Sequence, residues 1–141
     1  MLRVIDSLTD KEARDNIEKY YYAYRKLELD PQLISNFPND KVILITGRPN
    51  YLKETTKEWL KRNKISYNKL IFCNHRAPFG QFSKKELDTW FKKLAEKKAK
   101  ILKEEKVEVY FEDTPDIIKW LRELCPNIKI IQYGLRSLKS Q

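Results

Sequence analysis

Cysteine, histidine and long apolar runs are scarce in this sequence. Its 141 residues include two cysteines, Cys73 and Cys125, and a single histidine, His75. The cysteines do not form a Cys-x-x-Cys pair, which disfavours a metal knuckle, and we expect both to be small core residues in a reducing compartment. No apolar run approaches the roughly 20 residues that span a bilayer, and no signal peptide is evident. These absences predict a cytoplasmic protein without a membrane partner.

Acidic residues are fewer than basic residues in this sequence. The chain carries 29 lysine and arginine residues against 20 aspartate and glutamate residues, a formal net charge of +9. Such an excess favours anionic partners such as nucleic acid, nucleotides or phosphate esters. A lysine-rich, solvated surface would give the same balance without any such partner. The length fits one domain whose core needs no disulfides.

Short apolar runs alternate with stretches of helical spacing along the chain. Runs of β-branched and aromatic residues without proline predict five strands, at Leu2–Ile5, Val42–Ile45, Leu70–Cys73, Val107–Phe111 and Ile128–Gln132. Apolar residues at three- and four-residue steps predict four helices, at about 10–28, 50–63, 84–105 and 115–124. This alternation is typical of an α/β fold in which helices cover both faces of a parallel sheet. We therefore predict a three-layer, Rossmann-like domain with about five parallel strands.

The helix predicted at 84–105 carries a lysine in its apolar stripe. Ser83 and Glu86 have the spacing of a capping box, which predicts where the helix begins. With Leu87 set at zero and about 100° of rotation per residue, the apolar side chains fall within about 60° of it and Lys98 falls at about 20°. Either Lys98 extends its ammonium group out to solvent, or that group meets a buried anion or carboxylate.

Polar residues follow the predicted strands, at the sheet edge where ligands bind in open α/β folds. Asp6 follows the first strand, Thr46-Gly47-Arg48 follow the second, and Glu112-Asp113 follow the fourth. Carboxylates from the first and fourth strands could converge on a divalent cation, because Mg²⁺ prefers oxygen ligands. A threonine hydroxyl with neighbouring backbone N–H groups suits a phosphate. The guanidinium of Arg48 suits an anion, and it fits a surface salt bridge equally well.

Two longer stretches resemble motifs of the haloacid dehalogenase superfamily. The stretch VILITGRPNYLKETTKEWLKRNKI is similar to the second motif of that family, and KKAKILKEEKVEVYFEDTPDI is similar to its third and fourth motifs. The resemblance implies that Thr46 holds a transferring phosphoryl group and that Lys98 stabilises the nucleophile and the phosphate. Gly47 and Arg48, which follow Thr46, are assigned to substrate binding.

The resemblance also implies a metal ion and its ligands. By this resemblance Asp113 binds Mg²⁺, and Glu112 or Asp116 assists it. Asp6 is then both the nucleophile that attacks phosphorus and a further ligand of the metal. The strand that precedes Asp6 is expected to be the central strand of the sheet.

The first motif departs from the family pattern of Asp-x-Asp-x-Thr. This sequence has Asp6-Ser7-Leu8-Thr9-Asp10 in its place. Leu8 occupies the position of the general acid, and leucine cannot donate a proton, a loss worth about a hundredfold or more in rate. Asp10 is the candidate replacement, provided that its carboxylate reaches a bound Mg²⁺ or a water near Asp6.

The spacing of the motifs leaves no room for a separate cap domain. About 40 residues separate Asp6 from Thr46, and we interpret residues 1–141 as one domain. By resemblance, members without a cap accept macromolecular or bulky substrates. The sequence therefore predicts an Mg²⁺-dependent phosphatase that acts on a nucleotide, a nucleic-acid end or a similar phosphate ester through an aspartyl-phosphate. The alternative is a catalytically impaired module of the same fold that binds nucleic acid, an anion or a protein.

Overall fold

The computed structural model describes residue 34 and residues 37–76 and 83–133. These ranges contain four strands and three α-helices in alternation. In chain order the elements are β1 (Ile43–Thr46), a 3₁₀ turn (Asn50–Leu52), α1 (Lys53–Arg62), β2 (Lys69–Phe72), α2 (Lys84–Glu104), β3 (Val109–Glu112), α3 (Pro115–Leu124) and β4 (Lys129–Gln132). The strand predicted at Leu2–Ile5 and the helix predicted at 10–28 lie outside the described residues. No helix in the described ranges has the length and apolar character needed to span a membrane.

The described strands pair in parallel, two by two. β1 lies beside β2 with Thr46 opposite Phe72, and β3 lies beside β4 with Glu112 opposite Gln132. A helix links the two strands of each pair, as a parallel connection requires. The mixed α/β architecture with parallel pairing is therefore confirmed. A single sheet of five strands stays a prediction, because the described strands form two sheets of two strands each.

One apolar core lies between α2, α3 and the strands. Its buried members are Leu94, Ala95, Ala99, Leu102, Ile117, Ile118, Leu121, Cys125 and Ile130. Ile45 of β1 and Cys73, just after β2, pack against the same cluster, so both strand pairs share this core. Neither cysteine forms a disulfide, and burial raises the pKa of both thiols. Their expected role as small core residues is confirmed.

The start and the inward face of α2 agree with the sequence pattern, with one exception. The hydroxyl of Ser83 accepts the N–H of Glu86 at 3.1 Å, and the Glu86 carboxylate accepts the N–H of Ser83 at 3.2 Å, which confirms the capping box. Lys98 is buried with the apolar stripe. Leu87, which the stripe also placed inside, is 36% exposed, because it lies in the first turn of the helix, ahead of the α2 residues that form the core.

α2 ends in a left-handed turn with a lysine at the position that usually holds glycine. Lys106 has a φ of 54°, and the N–H of Val107 bonds to the carbonyl of Leu102 at 3.0 Å. This pattern is a Schellman-type helix end, and α1 ends in the same way with Lys64 at a φ of 54°. Because the turn takes up residues 105–107, β3 begins two residues later than predicted.

Replacing either left-handed lysine by glycine is expected to stabilise the fold. A side chain costs roughly 1–2 kcal/mol at such a φ, and part of the gain is lost to the greater freedom of glycine in the unfolded chain. We expect Lys106→Gly and Lys64→Gly each to raise the free energy of unfolding by about 0.5–1 kcal/mol, as measured by urea denaturation. The matched control Lys93→Gly, at an exposed position inside α2, should lower it by about 1 kcal/mol. A loss of stability on Lys106→Gly would contradict the left-handed turn.

Candidate functional site

The loops after β1 and β2 are tied together at the carboxyl ends of these strands. The N–H of Cys73 bonds to the carbonyl of Thr46 at 2.8 Å, and the N–H of His75 bonds to the carbonyl of Gly47 at 2.9 Å. The parallel pairing of β1 with β2 therefore continues past the last residue of each strand. As a result, the loop that the sequence predicts to bind phosphate lies beside the segment that follows β2.

Thr46 and Gly47, predicted to bind the phosphoryl group and the substrate, occupy the end of β1 and the loop that follows it. The Thr46 hydroxyl accepts the N–H of Arg48 at 3.3 Å, which orients its oxygen within the turn. A Cβ atom at Gly47 would lie 3.3 Å from both methyl carbons of Leu94, closer than ordinary van der Waals contact. Glycine at this position therefore allows α2 to pack directly against the loop.

Arg48, predicted to bind substrate or to form a surface salt bridge, belongs to the same loop and has a buried side chain. The residue is 7% exposed, and one guanidinium nitrogen donates to the hydroxyl of Thr56 at 3.2 Å. Thr56 in turn donates to the carbonyl of Leu52 at 2.8 Å. A guanidinium this buried does not fit a surface salt bridge. Its role in substrate binding stays a prediction.

The ammonium group of Lys98 meets a buried carboxylate. Its Nζ lies 2.6 Å from Oε1 of Glu112 at the end of β3, and the two side chains are 8% and 4% exposed. Extension of Lys98 to solvent is therefore wrong, and pairing with a buried carboxylate is confirmed. Burial by itself lowers the pKa of an ammonium group, but the charge of the Glu112 carboxylate and its hydrogen bond to Lys98 outweigh that effect, and the pKa of Lys98 lies above its ordinary value. Lys98 therefore carries a full positive charge.

Glu112 is held by four hydrogen-bond donors of the protein. Oε1 accepts from Lys98 and from the hydroxyl of Tyr110 at 3.1 Å, and Oε2 accepts from the backbone N–H groups of Asp113 and Thr114 at 3.0 and 3.3 Å. Burial raises the pKa of Tyr110 above its ordinary value, so its hydroxyl stays protonated. A carboxylate offers about four acceptor sites. The arrangement therefore fits a residue that positions Lys98 better than it fits the predicted metal ligand.

Asp113 is the described carboxylate best placed to hold Mg²⁺. It follows Glu112 at the end of β3, is half-buried, and accepts the hydroxyl of Thr114 at 3.2 Å on one oxygen. Asp116 lies exposed in the first turn of α3, where a carboxylate interacts favourably with the helix dipole. No three His, Cys, Asp or Glu side chains gather into a metal-binding group within the described ranges. One or two carboxylates nevertheless suit Mg²⁺, which retains waters and takes phosphate oxygens as its other ligands.

One turn of α2 contacts both the loop after β1 and the acidic residues at the end of β3. Leu94 contacts Gly47 after β1, and Lys98, four residues further along the helix, binds Glu112 at the end of β3. Residues four apart on a helix lie about 5–6 Å from each other on one face. The predicted phosphate loop (Thr46-Gly47-Arg48) and the acidic residues Glu112 and Asp113 are therefore both within reach of one helical turn.

Two predicted site residues, Asp6 and Asp10, lie outside the described residues. Asp6 was predicted as the nucleophile and as a metal ligand, and Asp10 as the replacement acid. These assignments stay predictions.

His75, which no sequence pattern places in the interior, is a buried packing residue. It is 7% exposed, its ring centroid lies 4.7 Å from that of Trp90, and its Nε2–H donates to the Trp90 carbonyl at 3.2 Å. The indole N–H of Trp90 donates to the carbonyl of Arg76 at 2.8 Å. One residue of α2 therefore binds the segment after β2 at two points. No local pattern signals this contact, because the partners lie 14 and 15 residues apart.

The buried ion pair should show a large coupling energy. Lys98→Met or Glu112→Gln alone leaves the other group without its charged partner, and we expect each to lower the free energy of unfolding by about 3–5 kcal/mol. The double variant should lose about 1–3 kcal/mol less than the sum of the two, as measured by urea denaturation. Lys100 and Glu104, an exposed pair 4.0 Å apart on the same helix, form the control cycle, with an expected coupling of about 0.3–0.5 kcal/mol. Equal coupling in both cycles would contradict the buried pair.

Protonation of His75 should destabilise the fold in acid. Burial, followed by the positive charges of Lys97, Lys93 and Lys98, lowers the pKa of His75 from 6.5 to about 4, against a raising effect of the Trp90 hydrogen bond. The folded state holds the neutral ring. The contribution of His75 to the free energy of unfolding is therefore complete above pH 6.5, and it falls as the pH drops towards about 4.

The variant His75→Gln isolates this effect, since it cannot titrate. We expect the difference in the free energy of unfolding between wild type and His75→Gln to decline as the pH falls from 6.5 to about 4. Carboxylates common to both proteins cancel in that difference. A difference that stays constant over this range would show that His75 titrates alike in the folded and unfolded chains.

Comparison with known proteins adds no relative to this picture. No family model, no curated protein and no solved structure matches the chain. Membership of the haloacid dehalogenase superfamily therefore stays a prediction from the motifs.

Proposed function

We propose that the protein is an Mg²⁺-dependent phosphatase of the haloacid dehalogenase type that hydrolyses the phosphate ester of a nucleotide or a nucleic-acid end. The proposal includes a three-layer, Rossmann-like domain in which the strand predicted at Leu2–Ile5 is central, as the resemblance implies. Asp6 would then follow a strand at the same edge as Thr46 and Glu112. The net charge of +9 supports an anionic substrate.

The buried pair of Lys98 and Glu112 carries this proposal. Removing an ammonium group from water costs several kcal/mol, so a lysine buried at the carboxyl ends of strands requires a reason. Glu112 accepts one of its N–H groups, and an ammonium group has three donors. The other two suit the oxygens of a phosphate and of the Asp6 carboxylate.

The named residues contact the phosphate from two sides. The Thr46 hydroxyl and the backbone N–H of Gly47 bind phosphate oxygens, and Lys98 balances the charge of those oxygens from the side of β3. Asp113 holds Mg²⁺, which when bound supplies further positive charge to the phosphate oxygens. Asp6 attacks phosphorus, the ester P–O bond breaks, and the leaving oxygen takes a proton, for which Asp10 is the candidate donor. Water then attacks the aspartyl-phosphate, releasing phosphate and restoring Asp6.

A module of the same fold that binds without turnover is the second candidate. Leu8 stands where the family has its general acid. Glu112 has both oxygens engaged by donors of the protein, which removes one of the three implied acidic ligands, Asp6, Asp113 and Glu112. Such a module would keep the basic surface and the anion-binding loop and would lack hydrolysis.

Phosphate release separates the two candidates. The protein should release phosphate from p-nitrophenyl phosphate or from a 3′- or 5′-phosphorylated oligonucleotide in the presence of Mg²⁺. Asp6→Asn is expected to reduce the rate by at least about a thousandfold, because no covalent intermediate can form. The matched control Asp40→Asn, at an exposed position ahead of β1, should behave as wild type.

Inertness of the wild type with each ester, in Mg²⁺ or Mn²⁺, would contradict the phosphatase. The decisive measurement is then fluorescence anisotropy with a labelled single-stranded oligonucleotide over a range of salt concentrations. Tight binding that weakens steeply with salt would favour the binding module.

A further inference from the structure

Tyr51 presents an aromatic ring beside the predicted phosphate loop. It lies in the 3₁₀ turn that follows Thr46 by a few residues, and it is 45% exposed. Large apolar side chains with comparable exposure in the described ranges are Phe37, Leu87 and Val109. Phe37 precedes β1 and Val109 begins β3, so both lie towards the other end of their strands. Within the part of the chain that the structure describes, Tyr51 is therefore the exposed aromatic residue that adjoins the carboxyl end of β1.

The backbone on both sides of Tyr51 is held in place. The N–H of Asn50 donates to the side-chain oxygen of Asn74 at 2.9 Å, which connects the turn to the segment after β2. The N–H of Leu52 bonds to the carbonyl of Pro49 at 3.1 Å, and the Leu52 side chain is buried. The ring thus projects from a turn with fixed neighbours, which reduces the entropy lost when a ligand packs on it.

Arg76 places a positively charged group over the Tyr51 ring. Its guanidinium carbon lies 5.6 Å from the centroid of the Tyr51 ring, within cation–π distance. The backbone of Arg76 is fixed in turn by the indole of Trp90, which donates to its carbonyl at 2.8 Å. Aromatic rings and arginine planes together form the stacking surfaces on which proteins bind nucleic-acid bases, and the charge of the arginine attracts the phosphate backbone.

We propose that Tyr51, supported by Arg76, stacks on the base of the nucleotide whose phosphate enters the loop after β1. This inference rests on the proposed function, since it names the part of the substrate that the same site recognises. Because every base has a π face, the recognition is tolerant of sequence. Because bases inside a duplex are already stacked on each other, the site takes a mononucleotide or the end of a single strand.

Equilibrium binding of two phosphate esters tests the inference. Adenosine 5′-monophosphate and ribose 5-phosphate carry the same phosphorylated sugar, and only the first has a base. We expect the wild type, measured by calorimetry without added Mg²⁺, to bind the nucleotide roughly 5- to 100-fold more tightly than the sugar phosphate. Tyr51→Ala should remove that preference and leave the affinity for ribose 5-phosphate unchanged, whereas Tyr51→Phe should retain it.

The half-buried Tyr67, which lies just before β2 and therefore at the opposite end of the strands, provides the matched control. Tyr67→Ala should leave both affinities as in the wild type. Equal binding of the two esters by the wild type, no binding of the nucleotide, or an equal loss of both affinities in Tyr51→Ala would overturn the inference. A Tyr51-dependent preference in a protein that hydrolyses no ester would support the stacking surface and reject the phosphatase. Hydrolysis without such a preference would do the reverse.

Discussion

The buried ion pair between Lys98 and Glu112 is the contact on which the mutual positions of α2, β3 and the loop after β1 depend. Two charged groups 2.6 Å apart in the interior are stable only when their other hydrogen bonds are also satisfied, because desolvation costs several kcal/mol per ion. Tyr110 and two backbone N–H groups complete those bonds on Glu112. The pair thereby fixes the position of α2 relative to β3, and the same position of the helix brings Leu94 against Gly47. An anion bound beside Lys98, as we propose, would meet charges and dipoles already in place, so its binding would require little reorganisation.

The described helices, and the place of Lys98 in the apolar stripe of α2, could be predicted from the sequence for a simple reason. The information lies inside the segment itself, as an apolar stripe of helical period and as capping groups such as Ser83. The ends of the strands could be predicted only to within one or two residues, because a turn such as that at Lys106 takes residues from the strand that follows. The pairing of the strands follows from the alternation of elements, and the described part of the chain bears it out as two parallel pairs.

The details of the site depend on contacts between distant residues, and these the sequence did not reveal. The resemblance assigned Glu112 to a metal ion, whereas its donors come from α2, from β3 and from the segment before α3. The buried Arg48 donates to Thr56 of α1, and the buried His75 packs against Trp90 of α2. Both residues belong to loops whose local pattern is polar, so periodicity predicts exposure for them. Whether a loop residue of this kind is buried depends on contacts across the fold and not on spacing along the chain.

Trp90 has a consequence for the motions of this edge of the protein. Its indole N–H and its backbone carbonyl bind Arg76 and His75, on the same segment after β2. Opening of this segment must break both bonds to Trp90, so its amide hydrogens should exchange with solvent more slowly than those of a loop without such contacts. The ring of Tyr51 lies under the guanidinium of Arg76 and would be released in the same event. Opening of the segment would therefore also remove the guanidinium that supports the aromatic surface, so the backbone bonds and that surface should be lost together.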